Sequence, residues 1–141
     1  MRVRGALAAA AAYFAAVFAC GFVLGVPRSL MLEPALGRLL AVLCELPAML
    51  GLAWWICRAI LRRVPLDAPG AALMGVAAFA LLMVAEAMLS TLLGGRSLAA
   101  HWALYAEASH RLGLAGQLVF GAMPWIQVRA GLARSGAKPP R

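Results

Sequence analysis

Asparagine is absent from this 141-residue chain, lysine occurs once (Lys138), and only 13% of the residues are charged. A soluble domain carries about a quarter charged residues and about half apolar ones. Here 65% are hydrophobic and the mean hydropathy is +0.89. One small core cannot hide that much apolar surface, so the expected solvent for most of the chain is a lipid bilayer. Cysteine is scarce and unpatterned. Cys20, Cys44 and Cys57 lie inside apolar segments without a CxxC pair, which excludes a zinc site or disulfide frame and leaves small packing residues.

Other absences narrow the function. No glycine-rich phosphate loop occurs, since Gly94-Gly95-Arg96-Ser97 reads as a turn followed by a helix cap. No Ser, His, Asp grouping is expected, because Asp67 falls on one side of the membrane and both histidines on the other. His101 and His110 are nine positions apart without a histidine at helical spacing, so neither metal nor haem is expected, nor any other cofactor. The formal charge of +8 would suggest nucleic acid in a soluble protein. Its arginines instead sit at the ends of apolar runs, where topology and lipid headgroups account for them and nucleic acid is not needed.

What is present is a set of apolar segments, each near the ~20 residues that cross ~30 Å of hydrocarbon. They run from about Gly5 to Val26, Leu36 to Ile56, Ala71 to Leu93, and Leu112 to Val128. The expected fold is all-α: an integral membrane bundle of four helices within residues 1–128, followed by a basic flexible tail, 129–141. Arg2 and Arg4 before an alanine-rich run also resemble a cleavable signal peptide. Phe22, Val23, Leu24 and Val26 carry the apolar run past Cys20, longer than a signal core of ~7–15 residues, so a retained first helix is expected.

Orientation follows from basic residues. The N-terminus, the loop between the second and third segments and the C-terminus hold Arg2, Arg4, Arg58, Arg62, Arg63, Arg129, Arg134, Lys138 and Arg141. The other two loops hold Arg28, Arg38, Arg96 and Arg111. Both termini are therefore expected in the cytoplasm, with Trp54, Trp55 and Trp125 as an aromatic belt at that interface. Val64 to Gly70 reads as a tight turn. In the second outer loop, Leu98, Trp102 and Tyr105 recur at helical spacing behind Ser97, beside polar Arg96, His101, Glu107, His110 and Arg111. That pattern fits a short helix lying on the outer surface, or an extension of the fourth helix.

Two acids fall inside the apolar runs. An ionised carboxylate in a bilayer must face protein, find a partner or keep a proton. Glu45 stands beside Pro47, whose missing N–H frees the Leu43 carbonyl and kinks the second helix; Pro124 does the same in the fourth. Glu45 lies roughly 13 Å and Glu86 roughly 10 Å below the outer surface at 1.5 Å per residue. On antiparallel neighbours the two would form a buried pair sharing a proton or cation. Arg38 lies two turns from Glu45 on one face as a partner, and Ser90 one turn beyond Glu86. Such a cluster either fixes helix packing through bonds worth ~1 kcal/mol each, or relays protons or cations. Gly21 and Gly25 form a Gly-x-x-x-Gly pair suited to close helix contact, within the subunit or in a homo-oligomer.

Glu45-Leu46-Pro47, Ala85-Glu86, Gly95-Arg96-Ser97 with His101, and Gly116-Gln117 together resemble a group of small uncharacterised bacterial inner-membrane proteins. With no activity assigned to that group, the resemblance implies architecture alone. Small multidrug exporters also have four helices and a membrane glutamate, but theirs lies in the first helix, where this chain has none. The expected function is a non-enzymatic inner-membrane accessory or assembly component, alone or with a membrane-protein partner. The alternatives are a small proton-coupled transporter or channel using Glu45 and Glu86, and an enzyme acting on envelope lipids at the outer surface.

Overall fold

The computed structural model describes residues 3–131, and those residues fold into helices joined by short connections, without strands. In chain order these are α1 (Val3–Pro27), α2 (Glu33–Leu36), α3 (Arg38–Arg63), α4 (Ala68–Met88), α5 (Leu98–Ala103) and α6 (Ala108–Arg129). Three helical stretches are long and apolar enough to cross a membrane: Val3–Leu36, Arg38–Arg63 and Ala68–Leu93. The all-helical, membrane-type reading of the sequence is met at that level. Arg2, Arg134, Lys138 and Arg141 lie outside the described residues, as does the tail expected at 129–141 except its first residues, of which Arg129 closes α6.

The helices overrun their expected bounds at several ends, for local reasons. Pro27 and Pro34 would be expected to end the first helix, since neither carries an N–H. The chain instead widens into a π-type turn over Arg28–Leu32, closed by the Glu33 N–H on the Arg28 carbonyl five residues back, and stays helical to Leu36. Gly37, at φ 79°, then breaks the path and starts α3. A second wide turn, Leu89–Leu93, ends when the Gly94 N–H reaches the Leu89 carbonyl at 3.0 Å. The turn expected from Val64 to Gly70 is shorter. Asp67 caps α4 by accepting from the Gly70 N–H at 3.0 Å, and Pro69 sits harmlessly in the first turn, where its missing donor would have been unsatisfied anyway. α6 begins at Ala108, four residues before the expected start.

α1, α3, α4 and α6 form one bundle in which α1 packs on α3 and α4, and α6 packs on the same two. The expectation that the Glu45 and Glu86 helices are neighbours is therefore corrected: α3 and α4 stand diagonally. Extended backbone at Val64 and Asp67 permits this, since four extended residues span about 13 Å, enough to cross a bundle. The remaining diagonal, α1 to α6, is bridged by Tyr13, whose ring stacks on Phe120 at 4.4 Å.

Packing is uneven along the bundle. The buried core collects at one end: Ala6, Ala9, Ala10 and Tyr13 of α1, Ala53, Cys57 and Leu61 of α3, Ala71, Met74 and Ala78 of α4, and Phe120 and Met123 of α6. Small residues let the backbones close there. A Cβ on Gly75 would collide with the Gly121 carbonyl, and one on Gly121 would stand 3.2 Å from the Phe79 Cβ. Nothing beyond Val17 in α1 or beyond Ala78 in α4 is buried, so the opposite end is splayed on that side, while Ala41 of α3 and Ser109 and Gly116 of α6 stay buried. Gly21 is turned inward, where an added Cβ would sit 3.3 Å from the Met49 Cε, and Gly25 lies beside Arg28.

Candidate functional site

The splayed end encloses a cavity of about 830 Å³. Its floor is apolar: Phe18 and Phe22 from α1, Leu46, Met49 and Leu50 from α3, Leu82 from α4, and Phe120 from α6. Its rim carries Arg28, Glu33, Arg38, Glu45, Glu86, Arg96, His110 and Gln117. Arg28, Glu33, Arg38, Arg96 and His110 sit in connections or at helix starts, whereas Glu45 and Gln117 reach the cavity from within α3 and α6 and Glu86 from near the end of α4.

Beneath the floor, Tyr13 closes the bundle, and Pro124 explains why. Proline has no N–H, so the Phe120 carbonyl four residues earlier loses its helical donor. The Tyr13 hydroxyl donates to that carbonyl at 3.2 Å and also lies 3.5 Å from the Met123 sulfur. A hydroxyl from α1 thus fills the gap a proline leaves in α6. Sequence reasoning had marked Pro124 as a kink and overlooked Tyr13. The signal available was a single tyrosine within an alanine-rich run.

Glu45 and Glu86 face this one cavity from opposite corners, each with its own partner. Arg28, from the wide turn after α1, places its Nε 2.8 Å from Glu45 Oε2 and contacts Glu33 with another nitrogen. Arg38, expected to partner Glu45, instead pairs with Glu107 at 3.0 Å and lies 3.9 Å from Glu33. His110 Nδ1 stands 3.5 Å from the same Glu107 carboxylate, without the angle of a hydrogen bond. Alternating charges therefore run from within α3 to the start of α6. The outermost pair is about half exposed (52% and 47%), so it contributes at most about 1 kcal/mol. Arg28 with Glu45 is more enclosed and leaves a costly orphan when either partner is lost. The sequence offered no spacing rule for Arg28, because the wide turn decides where it points.

Glu86 makes no ion pair with an arginine among the described residues, and the charge-capable side chain acting on it is the His101 imidazole. Its Oε1 accepts from Gln117 Nε2 of α6 at 2.6 Å. On this side of the cavity lie buried polar atoms without a hydrogen-bond partner: Gln117 Oε1, Ser90 Oγ, His110 Nδ1 and both ring nitrogens of His101. These are five of the seven such side-chain atoms among the described residues, so the unmet polar capacity is concentrated here. Buried polar groups normally find partners, and an unmet cluster beside a cavity marks a place for water or ligand.

α5 covers this corner. Ser97 caps it, accepting from the Ala100 N–H at 3.1 Å. His101 is 4% exposed, and its ring meets Trp102 at 5.2 Å and Tyr105 at 5.8 Å, while Tyr105 meets His110 at 6.1 Å. Burial, and then the negative charge of Glu86, push the Tyr105 hydroxyl above its usual range. Arg96 lines the cavity, its backbone held to the Ser90 carbonyl at 3.2 Å, whereas Arg111 is exposed on α6. No group of three or more His, Cys, Asp or Glu side chains placed to hold a metal occurs among the described residues.

Fold and site together describe an all-helical protein with membrane-type spans and an amphipathic cavity at one end. Compared with known proteins, the chain matches no family model, no curated protein and no solved structure.

Proposed function

We propose that this chain is a multi-pass bacterial inner-membrane protein of four crossings, with both termini cytoplasmic, serving as a non-enzymatic component that holds one amphipathic molecule in its outer half. α6 supplies the fourth crossing. It is less apolar overall, but Gln117 bonds Glu86 and Gln127 donates to the Trp54 carbonyl at 2.9 Å, so both glutamines point inward. Its exposed face carries Leu118, Val119, Trp125 and Ile126. The arginine distribution supports an orientation with the packed end toward the cytoplasm and the cavity toward the outer side. α5 then lies in the outer interface, with Leu98 and Trp102 at least half exposed for headgroup contact.

The observation that carries the reading is the cavity itself: about 830 Å³, apolar below and ionic at the rim, within the ~300–1,000 Å³ typical of ligand sites. Gly113 offers the test. It lines the cavity, and a Cβ there meets nothing within 4 Å, so Gly113→Leu starts a bulky side chain into that space. The variant should stay folded and lose binding of a fluorescent acyl-chain probe. Undiminished probe binding would defeat the proposal.

A proton-coupled carrier is the second reading, favoured by the unmet polar atoms on the Glu86 side of the cavity. Proton flux into liposomes containing wild type, Glu45→Gln and Glu86→Gln separates the two. Flux that depends on either carboxylate supports the carrier, and wild-type flux no higher than in empty vesicles removes it.

A further inference from the structure

The charges lining the cavity define which amphipathic molecule fits, on the premise that the cavity is a binding site as proposed above. Three cations and three carboxylates line it: Arg28, Arg38 and Arg96, with Glu33, Glu45 and Glu86. Arg28 is engaged by Glu45 and Glu33, and Arg38 by Glu107. That leaves one guanidinium, Arg96, and one carboxyl, Glu86, outside the ion pairs of the described residues, with the His101 imidazole as the titratable neighbour of Glu86. They are neighbours in depth. The Arg96 backbone is held to Ser90, which stands one helical turn, about 5.4 Å, beyond Glu86 on the same helix.

Hydrogen bonding sharpens the choice. Beside Glu86 the Gln117 Oε1 is a buried acceptor with no donor, and only one oxygen of Glu86 is taken by Gln117. Gln117 Oε1 and the second Glu86 oxygen are acceptors that a primary ammonium, with its three donors, can satisfy together. Arg96 offers the forked donors that recognise a phosphate. Below both, Phe18, Phe22, Leu46, Met49 and Leu82 form a floor without a polar group. We propose that the cavity binds an aminophospholipid of the ethanolamine kind, its phosphate on Arg96, its ammonium between Glu86 and Gln117, and an acyl chain along the floor. A choline headgroup has no N–H to give Gln117, and a glycerol headgroup brings no cation to Glu86.

The test uses the full chain in detergent, with native mass spectrometry of bound phosphatidylethanolamine, its N-methylated series through phosphatidylcholine, phosphatidylglycerol, and soluble phosphoethanolamine. The ethanolamine lipid should bind about tenfold or more tighter than the choline lipid, as expected for lost charge-assisted hydrogen bonds, with a graded fall along the methyl series. Glu86→Gln should abolish that preference while choline-lipid binding persists. Arg96→Gln, at an exposed position, should weaken both lipids together. Equal ethanolamine and choline binding, or a preference for the glycerol lipid, overturns the headgroup assignment. If Gly113→Leu still blocks all lipids in that case, the cavity reading survives alone. Soluble phosphoethanolamine binding as tightly as the lipid overturns the membrane source. Should Glu86→Gln fail to fold, the methyl series on the wild-type protein decides by itself.

Discussion

Tyr13 and Pro124 offer a quantitative check on how the closed end of the bundle is held. The Tyr13 hydroxyl donates to the Phe120 carbonyl at 3.2 Å, and that carbonyl is free because residue 124 has no N–H. Tyr13→Phe removes the donor and keeps the ring stacked on Phe120. The loss should be about 1 kcal/mol, the usual size of a hydrogen bond between membrane helices, rising toward about 2 if the carbonyl stays dry. Pro124→Ala returns an N–H that closes the α6 ladder on Phe120. In that background Tyr13→Phe should cost close to nothing. The coupling across the double-mutant cycle should therefore equal nearly the whole single-mutant loss, about 1 kcal/mol. Unfolding of the detergent-solubilised protein by titrated SDS, followed by tryptophan fluorescence, reads all four proteins on one scale. Equal costs for Tyr13→Phe in both backgrounds would refute the reasoning, since the hydroxyl would then be bonding elsewhere.

Gly75→Ala should destabilise by about 1–3 kcal/mol despite better helix propensity, because its Cβ meets the Gly121 carbonyl. Gly51→Ala, with open space around it, should gain up to about 1 kcal/mol, and thermal melting in detergent compares the two. Arg28→Gln should lower stability at neutral pH by stranding Glu45, and Arg28→Gln with Glu45→Gln should recover most of the loss. No recovery would mean that Arg28 acts through Glu33 instead. Tyr105 gives a pH signature. Its raised folded-state value means that above about pH 10 the unfolded chain ionises while the folded chain holds its proton, so stability falls as pH rises through that range. Tyr105→Phe should flatten the alkaline limb of a melting-temperature profile, and an unchanged limb would place the effect elsewhere.

The membrane-type, all-helical character was legible because it depends on composition and run length alone, which no tertiary contact alters. Local signals were legible in part. Ser97 caps α5, which carries His101, whereas Glu107, His110 and Arg111 stand at the start of α6. The ends of the first helix were not readable, because Pro27 and Pro34 normally stop a helix and here are absorbed by one wide turn. That turn also aims Arg28 at Glu45, which placed the candidate partner wrongly on Arg38.

The sequence by itself determined that most of this chain seeks hydrocarbon, which residues inside it are acidic, and that proline leaves α6 short of a donor at one point. Only the tertiary structure decided that α3 and α4 stand diagonally, that Glu45 and Glu86 face one cavity with separate partners, and that Tyr13 fills the proline gap. The physical reason is range. Burial preference and missing donors belong to single residues, whereas pairing depends on where a four-residue connection lets the next helix land.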